Sequence, residues 1–141
     1  EVRNPMSTRP WQHVLEPLSG YLKLAYFLDK SGKFHGSSYN FGPAEENNYS
    51  VKELIEEMSK YWNRSKWNDV SNKKALFNES SLLKLNCEKS LRDLKWRPTL
   101  NFRETVSMTI NWYKYFHEKN ISMKKYNEEQ IIEYQKKLLT H

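Results

Sequence analysis

Five consecutive positions, Arg9-Pro10-Trp11-Gln12-His13, gather a guanidinium, an indole, an amide and an imidazole. Arginine presents a planar fork of donors that matches the oxygens of a phosphate or carboxylate. Trp11 supplies a stacking face, and Gln12 and His13 can each donate and accept hydrogen bonds. At the mouth of a helix these groups could hold a nucleotide diphosphate. The same residues also fit a structural reading, with Trp11 as a core aromatic and Arg9 and His13 capping or pairing at the surface. A short cluster is decided by its structural context.

Other residues capable of chemistry are scattered. Tyr-x-x-x-Lys, the spacing of a general acid/base pair beside a nicotinamide, occurs at Tyr26–Lys30 and Tyr115–Lys119. Both fall in amphipathic patterns and neither follows a dinucleotide-binding stretch, so both are read as chance matches. Gly20, Gly32, Gly36 and Gly42 form no GxGxxG. His13, His35, His117 and His141 have no metal-ligand spacing. Cys87, the single cysteine, excludes an intrachain disulfide framework and a Cys-based zinc site. It falls at an expected helix N-terminus, where a thiol pKa can drop; a buried structural thiol is the competing reading. Glu45-Glu46 reads as a solvated loop, and Asn78-Glu79 could bind a sugar hydroxyl.

The elements that must position these residues follow from periodicity. Leu15, Leu18, Leu22, Ala25 and Leu28 recur at helical steps, with Pro17 tolerable in the first turn and Gly32 as the stop. Leu24 and Phe27 widen that apolar face, so this helix is expected to be buried on more than one side. Short strands are expected at 37–41, 67–70 and 82–85. Ser50-x-x-Glu53 is a capping box, flanked by Tyr49 and Leu54 as a hydrophobic staple, and starts a helix carrying Val51, Leu54, Ile55, Met58 and Trp62. Asn86 can cap a short helix running to about Lys95. Asn101, with Glu104 in the reciprocal place, caps a longer one, and Asn127 to Gln130 repeats the pattern before a last helix. The order predicts an α/β domain with few short strands and about five helices.

At 141 residues the chain is long enough for one domain with a core: an α/β lobe over 1–120 and a helical tail over 121–141. Its formal charge of +6 raises the question of an anionic partner. Lysines are interspersed with acids, however, which describes a solvated surface better than a nucleic-acid track. The lone cysteine suits a reducing cytoplasm. No apolar run reaches the length of a bilayer span, and the start Glu1-Val2-Arg3-Asn4-Pro5 suggests a fragment or a processed product.

Val2-Arg3-Asn4-Pro5 followed by Arg9-Pro10-Trp11-Gln12-His13-Val14-Leu15-Glu16-Pro17-Leu18-Ser19-Gly20-Tyr21-Leu22 resembles a signature of the CDP-glucose 4,6-dehydratase family, of the extended short-chain dehydrogenase/reductase class. Tyr39-Asn40-Phe41-Gly42-Pro43, Glu79, Leu83-Lys84-Leu85-Asn86-Cys87-Glu88-Lys89, Leu94-Lys95-Trp96-Arg97-Pro98, Thr109-Ile110-Asn111-Trp112-Tyr113 and Glu129-Gln130-Ile131 with Tyr134 continue it in order. The resemblance implies a cytoplasmic lyase of carbohydrate and lipopolysaccharide biosynthesis that oxidises a sugar C4 with NAD, eliminates water across C5–C6 and returns the hydride to C6. It implies that Arg9 lies near the nucleotide diphosphate, that Trp11, Gln12 and His13 line the nucleotide pocket, and that Glu79 and Asn86 lie close to the substrate. Asn86 stands where the family pattern has Asp, and Asn78 where it has His. The family's NAD-binding Rossmann half, with its catalytic Tyr and Lys, would precede Glu1. This chain therefore resembles the C-terminal nucleotide-sugar-binding lobe, with no catalytic, cofactor-binding or metal residue of its own. It is expected to be inactive alone and homo-oligomeric in the parent enzyme, with CDP-glucose as ligand and neither nucleic acid nor membrane as partner. A dehydratase or epimerase for another nucleotide sugar, and a small basic nucleic-acid-binding module, are the competing readings.

Overall fold

The computed structural model describes residues 1–63, 66–71, 83–118 and 122–140. The described residues form five helices: α1 (Leu15–Lys30), α2 (Val51–Tyr61), α3 (Glu88–Leu94), α4 (Phe102–Glu118) and α5 (Met123–Leu138). The expected strands contribute little. Among the described residues, extended pairing is limited to two isolated bridges, Val2 with Asp69 in parallel and Thr8 with Ser50 in antiparallel. Segment 37–41 pairs with nothing as a strand. Its carbonyls are taken by side chains instead: Asn40 O accepts from Ser90 Oγ, and Phe41 O accepts from Gln12 Nε2 at 3.1 Å. Segment 83–85 is irregular, and Leu82 lies outside the described residues.

α2 begins as its capping box dictates. Ser50 Oγ accepts from the Glu53 N–H at 3.2 Å, and Glu53 Oε2 accepts from the Ser50 N–H at 2.7 Å. These bonds to its charged form hold the Glu53 carboxyl below the usual range. The two preceding helix N–H groups are satisfied from the N-terminal segment, Val51 by Ser7 O and Lys52 by Pro5 O. Asn101 and Glu104 repeat the box at the mouth of α4, at 3.0 and 2.9 Å. α2 lies along α4, with Tyr49 stacked on Phe102 at a ring separation of 3.7 Å. α5 starts earlier than its sequence signal. Ser122 precedes it, and Asn127 is interior, its Oδ1 taken by Trp112 Nε1 at 2.7 Å.

α1 departs from expectation in what it buries. Glu16 and Gly20 are its buried residues, while Leu18, Tyr21, Leu22 and Tyr26 are exposed. The reason is that α1 spans two separate clusters. Leu15 packs on Leu100, Met108 and Tyr134, and Leu24 and Phe27 pack on Phe41, Leu94 and Trp96. Gly20 allows the Phe41 ring to approach the helix backbone: a Cβ there would sit 2.4–2.7 Å from ring carbons.

Glu16 is 1% exposed. Its carboxylate accepts from the Thr99 N–H at 2.9 and 3.1 Å, the Leu100 N–H at 2.6 Å and the Tyr134 hydroxyl at 3.0 Å. Ser19, one turn on, accepts from Trp96 Nε1 at 2.9 Å. Burial pushes the Glu16 carboxyl above its ordinary value of 4.5, opposed by the Leu100, Tyr134 and Thr99 donors.

Gly20→Ala is expected to destabilise the chain by about 1–3 kcal/mol in urea denaturation through overpacking against Phe41, although helix propensity alone would favour Ala by roughly 1 kcal/mol. Glu16→Ala leaves the Thr99 and Leu100 N–H groups buried without an acceptor, while the Tyr134 hydroxyl can turn to Ser19, and is expected to cost about 3–5 kcal/mol. Glu16→Gln keeps an acceptor for both N–H groups and can donate to the Tyr134 oxygen, whose proton then turns to Ser19; it is expected to cost about 1 kcal/mol or less. A raised folded pKa means that the folded state holds the Glu16 proton more tightly than the unfolded chain. The resulting stability is fully present below 4.5 and is lost as pH rises from there through the raised folded value. The stability of the native chain minus that of Glu16→Gln should therefore fall as pH is raised above 4.5; a difference independent of pH would refute the raised value.

Candidate functional site

The motif 9–13 leads from the α2 cap into α1, and the two ends hold its residues in different places. Arg9 is half-buried, with its N–H toward Tyr49 O at 3.5 Å and its Nη1 donating to Thr8 O at 2.8 Å. Trp11 Nε1 donates to the same Tyr49 carbonyl at 2.8 Å. Both residues are thereby tied to the segment that starts α2.

Gln12 and His13 face the other way, toward the helices. Gln12 Nε2 donates to Phe41 O, and its Oε1 is buried without a hydrogen-bond partner among the described residues. His13 is 5% exposed, and burial lowers its pKa, which keeps the imidazole neutral. Its Nδ1 accepts from the Leu15 N–H at 3.4 Å. The ring proton of that neutral tautomer is therefore on Nε2, a donor.

Gln12 and His13 line a cavity of about 550 Å³ together with Val14, Leu15, Thr109, Trp112, Tyr113, Asn127, Gln130 and Ile131. Among the described residues, no Lys, Arg, Asp or Glu lines it. Pro10 and Asn86 line a different, smaller cleft of about 180 Å³ with Pro43, Ala44, Glu45, Asn47 and Lys84 among its walls. Asn86 itself is exposed; its Oδ1 accepts from the Glu88 N–H at 2.9 Å at the start of α3. The structure thus brings Gln12 and His13 together, puts Asn86 beside Pro10, and ties Arg9 and Trp11 at the α2 side. Glu79, with Asn78, lies outside the described residues.

The helical wall of the larger cavity was not legible as a site. Trp112 and Asn127 form it through their mutual hydrogen bond, and Gln130 Nε2 donates to Met108 O at 2.8 Å. Thr109-Ile110-Asn111-Trp112-Tyr113 enters the sequence reading as a motif of the family resemblance, with no binding role attached. Of the two Tyr-x-x-x-Lys matches, Lys30 lies over the Tyr26 ring at 5.7 Å, and Lys119 is outside the described residues. Cys87 precedes α3, yet burial pushes its thiol up despite the Gly42 N–H that its Sγ accepts at 3.1 Å. The structural reading of this residue holds. Among the described residues no group of three or more His, Cys, Asp or Glu is placed to hold a metal, and no helix is long and apolar enough to cross a membrane.

No protein-family model matches the chain. Direct comparison finds the resemblance drawn from the motifs. Over 115 residues, 80% of its length, the chain is 38% identical to CDP-glucose 4,6-dehydratase of Salmonella typhimurium. It spans 31% of the length of that relative.

Cys87 should react with a disulfide reagent such as DTNB at pH 8 more slowly in the folded chain than in urea, because its thiolate is disfavoured and half-covered. A faster reaction when folded would mean an activated thiol.

Proposed function

We propose that this chain is the C-terminal, nucleotide-sugar-binding part of an enzyme like CDP-glucose 4,6-dehydratase, of the extended short-chain dehydrogenase/reductase class. The observation that carries this reading is the 38% identity over 80% of the chain. On it, Arg9 offers its guanidinium to the diphosphate of CDP-glucose, and Trp11, Gln12 and His13 line the nucleotide pocket. Asn86 and Glu79 border the sugar end. Two features support such roles. Arg9 is half-buried with its guanidinium oriented by the Nη1 bond to Thr8 O, and neutral His13 carries its ring proton on Nε2.

NAD, which the family uses, does not fit the residues present. Gly20 lies against the Phe41 ring and Gly42 against Leu85 and Cys87, so these glycines serve close packing. Of the remaining two, Gly32 opens the short 3-10 turn Gly32–Phe34 and Gly36 follows it. The oxidation and hydride return are assigned to a part of the enzyme outside this chain, and the chain alone is inactive on this reading. The parent enzyme is assigned as a cytoplasmic homo-oligomer.

Calorimetric titration of the chain with CDP, dTDP and GDP tests the proposal. CDP should bind tightest, and Arg9→Ala should weaken it by roughly tenfold or more, the worth of a charge-assisted hydrogen bond. Equal affinity for the three nucleotides would defeat the assignment to CDP, and CDP binding indifferent to Arg9→Ala would defeat the role of Arg9.

A further inference from the structure

A groove of about 710 Å³ lies between α1 and the segment that follows α3, well inside the range of roughly 300–1,000 Å³ typical of small-molecule sites. Its aromatic lining is Tyr26, Phe27 and Trp96. Trp96 is almost wholly buried, with its indole N–H held by Ser19 Oγ, so it forms a fixed floor. Among the described residues, three cations, Lys23, Lys95 and Arg97, line the same groove, and no Asp or Glu does.

The cations are arranged and not merely near. Lys23 Nζ donates to Lys95 O at 2.8 Å, so one of them braces the turn that carries the other two. The Lys95 ammonium and the Arg97 guanidinium have no ion-pair or hydrogen-bond partner among the described residues. Lys95 also has φ +53°, the sole positive φ of a non-glycine residue among those described. Glycine is the ordinary occupant of this left-handed position after a helix, and a lysine there is held against backbone strain. Keeping a cation at a position suited to glycine makes sense where its charge has work beyond the fold.

We propose that this groove binds an aromatic ring carrying a phosphate. The ring lies against Tyr26, Phe27 and Trp96, and the phosphate sits between Lys95 and Arg97. Stacking surface and paired charge are then used together, with the guanidinium fork matching two phosphate oxygens. The site is separate from the Arg9 motif and does not depend on the dehydratase assignment.

The test is titration of the full chain with 2-naphthyl phosphate and, in parallel, with uncharged 2-naphthol, followed by two-dimensional amide NMR. The phosphate should shift the Trp96 indole N–H resonance and bind at least tenfold tighter than the naphthol. Arg97→Gln should weaken it about fivefold or more. Lys95→Gly is the decisive variant, because relieving a left-handed lysine should raise the melting temperature while binding still falls about fivefold or more. Equal binding of 2-naphthol, an unmoved Trp96 resonance, or full affinity in Lys95→Gly would each overturn the proposal.

Discussion

The carboxylate of Glu16 is the joint on which the rest of the structure depends. A buried carboxylate without partners would be strongly destabilising. Here it accepts from the Thr99 and Leu100 N–H groups and from the Tyr134 hydroxyl, so α1, the turn before α4, and α5 meet at one side chain. Ser19 extends the joint by one turn, with Trp96 donating to its hydroxyl and Tyr134 within 3.0 Å. The two hydrophobic clusters lie on either side of this polar seam, one containing Trp96 and the other Leu100 and Tyr134.

That joint explains why the functional motif takes the shape it does. The Glu16 N–H donates to His13 O at 3.0 Å, so the residues just before the joint are drawn into the first turn of α1. Gln12 and His13 are carried toward α4 and α5, while Thr8, Arg9 and Trp11 remain on the Ser50 and Tyr49 backbone. A single run of five chemically capable residues is thereby divided between two faces. The orphaned Gln12 Oε1 marks where the division is least satisfied.

Local signals were readable wherever they act over three or four residues. Ser50 with Glu53, and Asn101 with Glu104, form capping boxes in the structure as their spacing implies, because both halves of the interaction lie within one turn. The same spacing misled at Asn127, whose amide oxygen is claimed by Trp112, 15 residues away. The strand expected at 37–41 failed for a related reason. Its composition suits extended backbone, but a ladder needs a partner strand, and here Ser90 and Gln12 side chains take the carbonyls. Cys87 shows the limit of position alone, since burial outweighed the Gly42 N–H in setting its pKa.

By itself the sequence determined the bounds of α1 at Leu15 and Lys30, the capped starts of α2 and α4, and the likeness to CDP-glucose 4,6-dehydratase. Each of these depends on residue types in order along the chain, through periodicity, caps or matched motifs. Only the tertiary structure decided that Glu16, in a first turn where acids are usually solvated, is among the most deeply buried side chains. Only it decided that Arg9 and His13 part company and that Lys95 and Arg97 share a groove with Tyr26. The physical reason is that burial and hydrogen-bond satisfaction are set by groups distant in the chain: the donors at Thr99, Leu100 and Tyr134 lie 83, 84 and 118 residues from the carboxylate they hold.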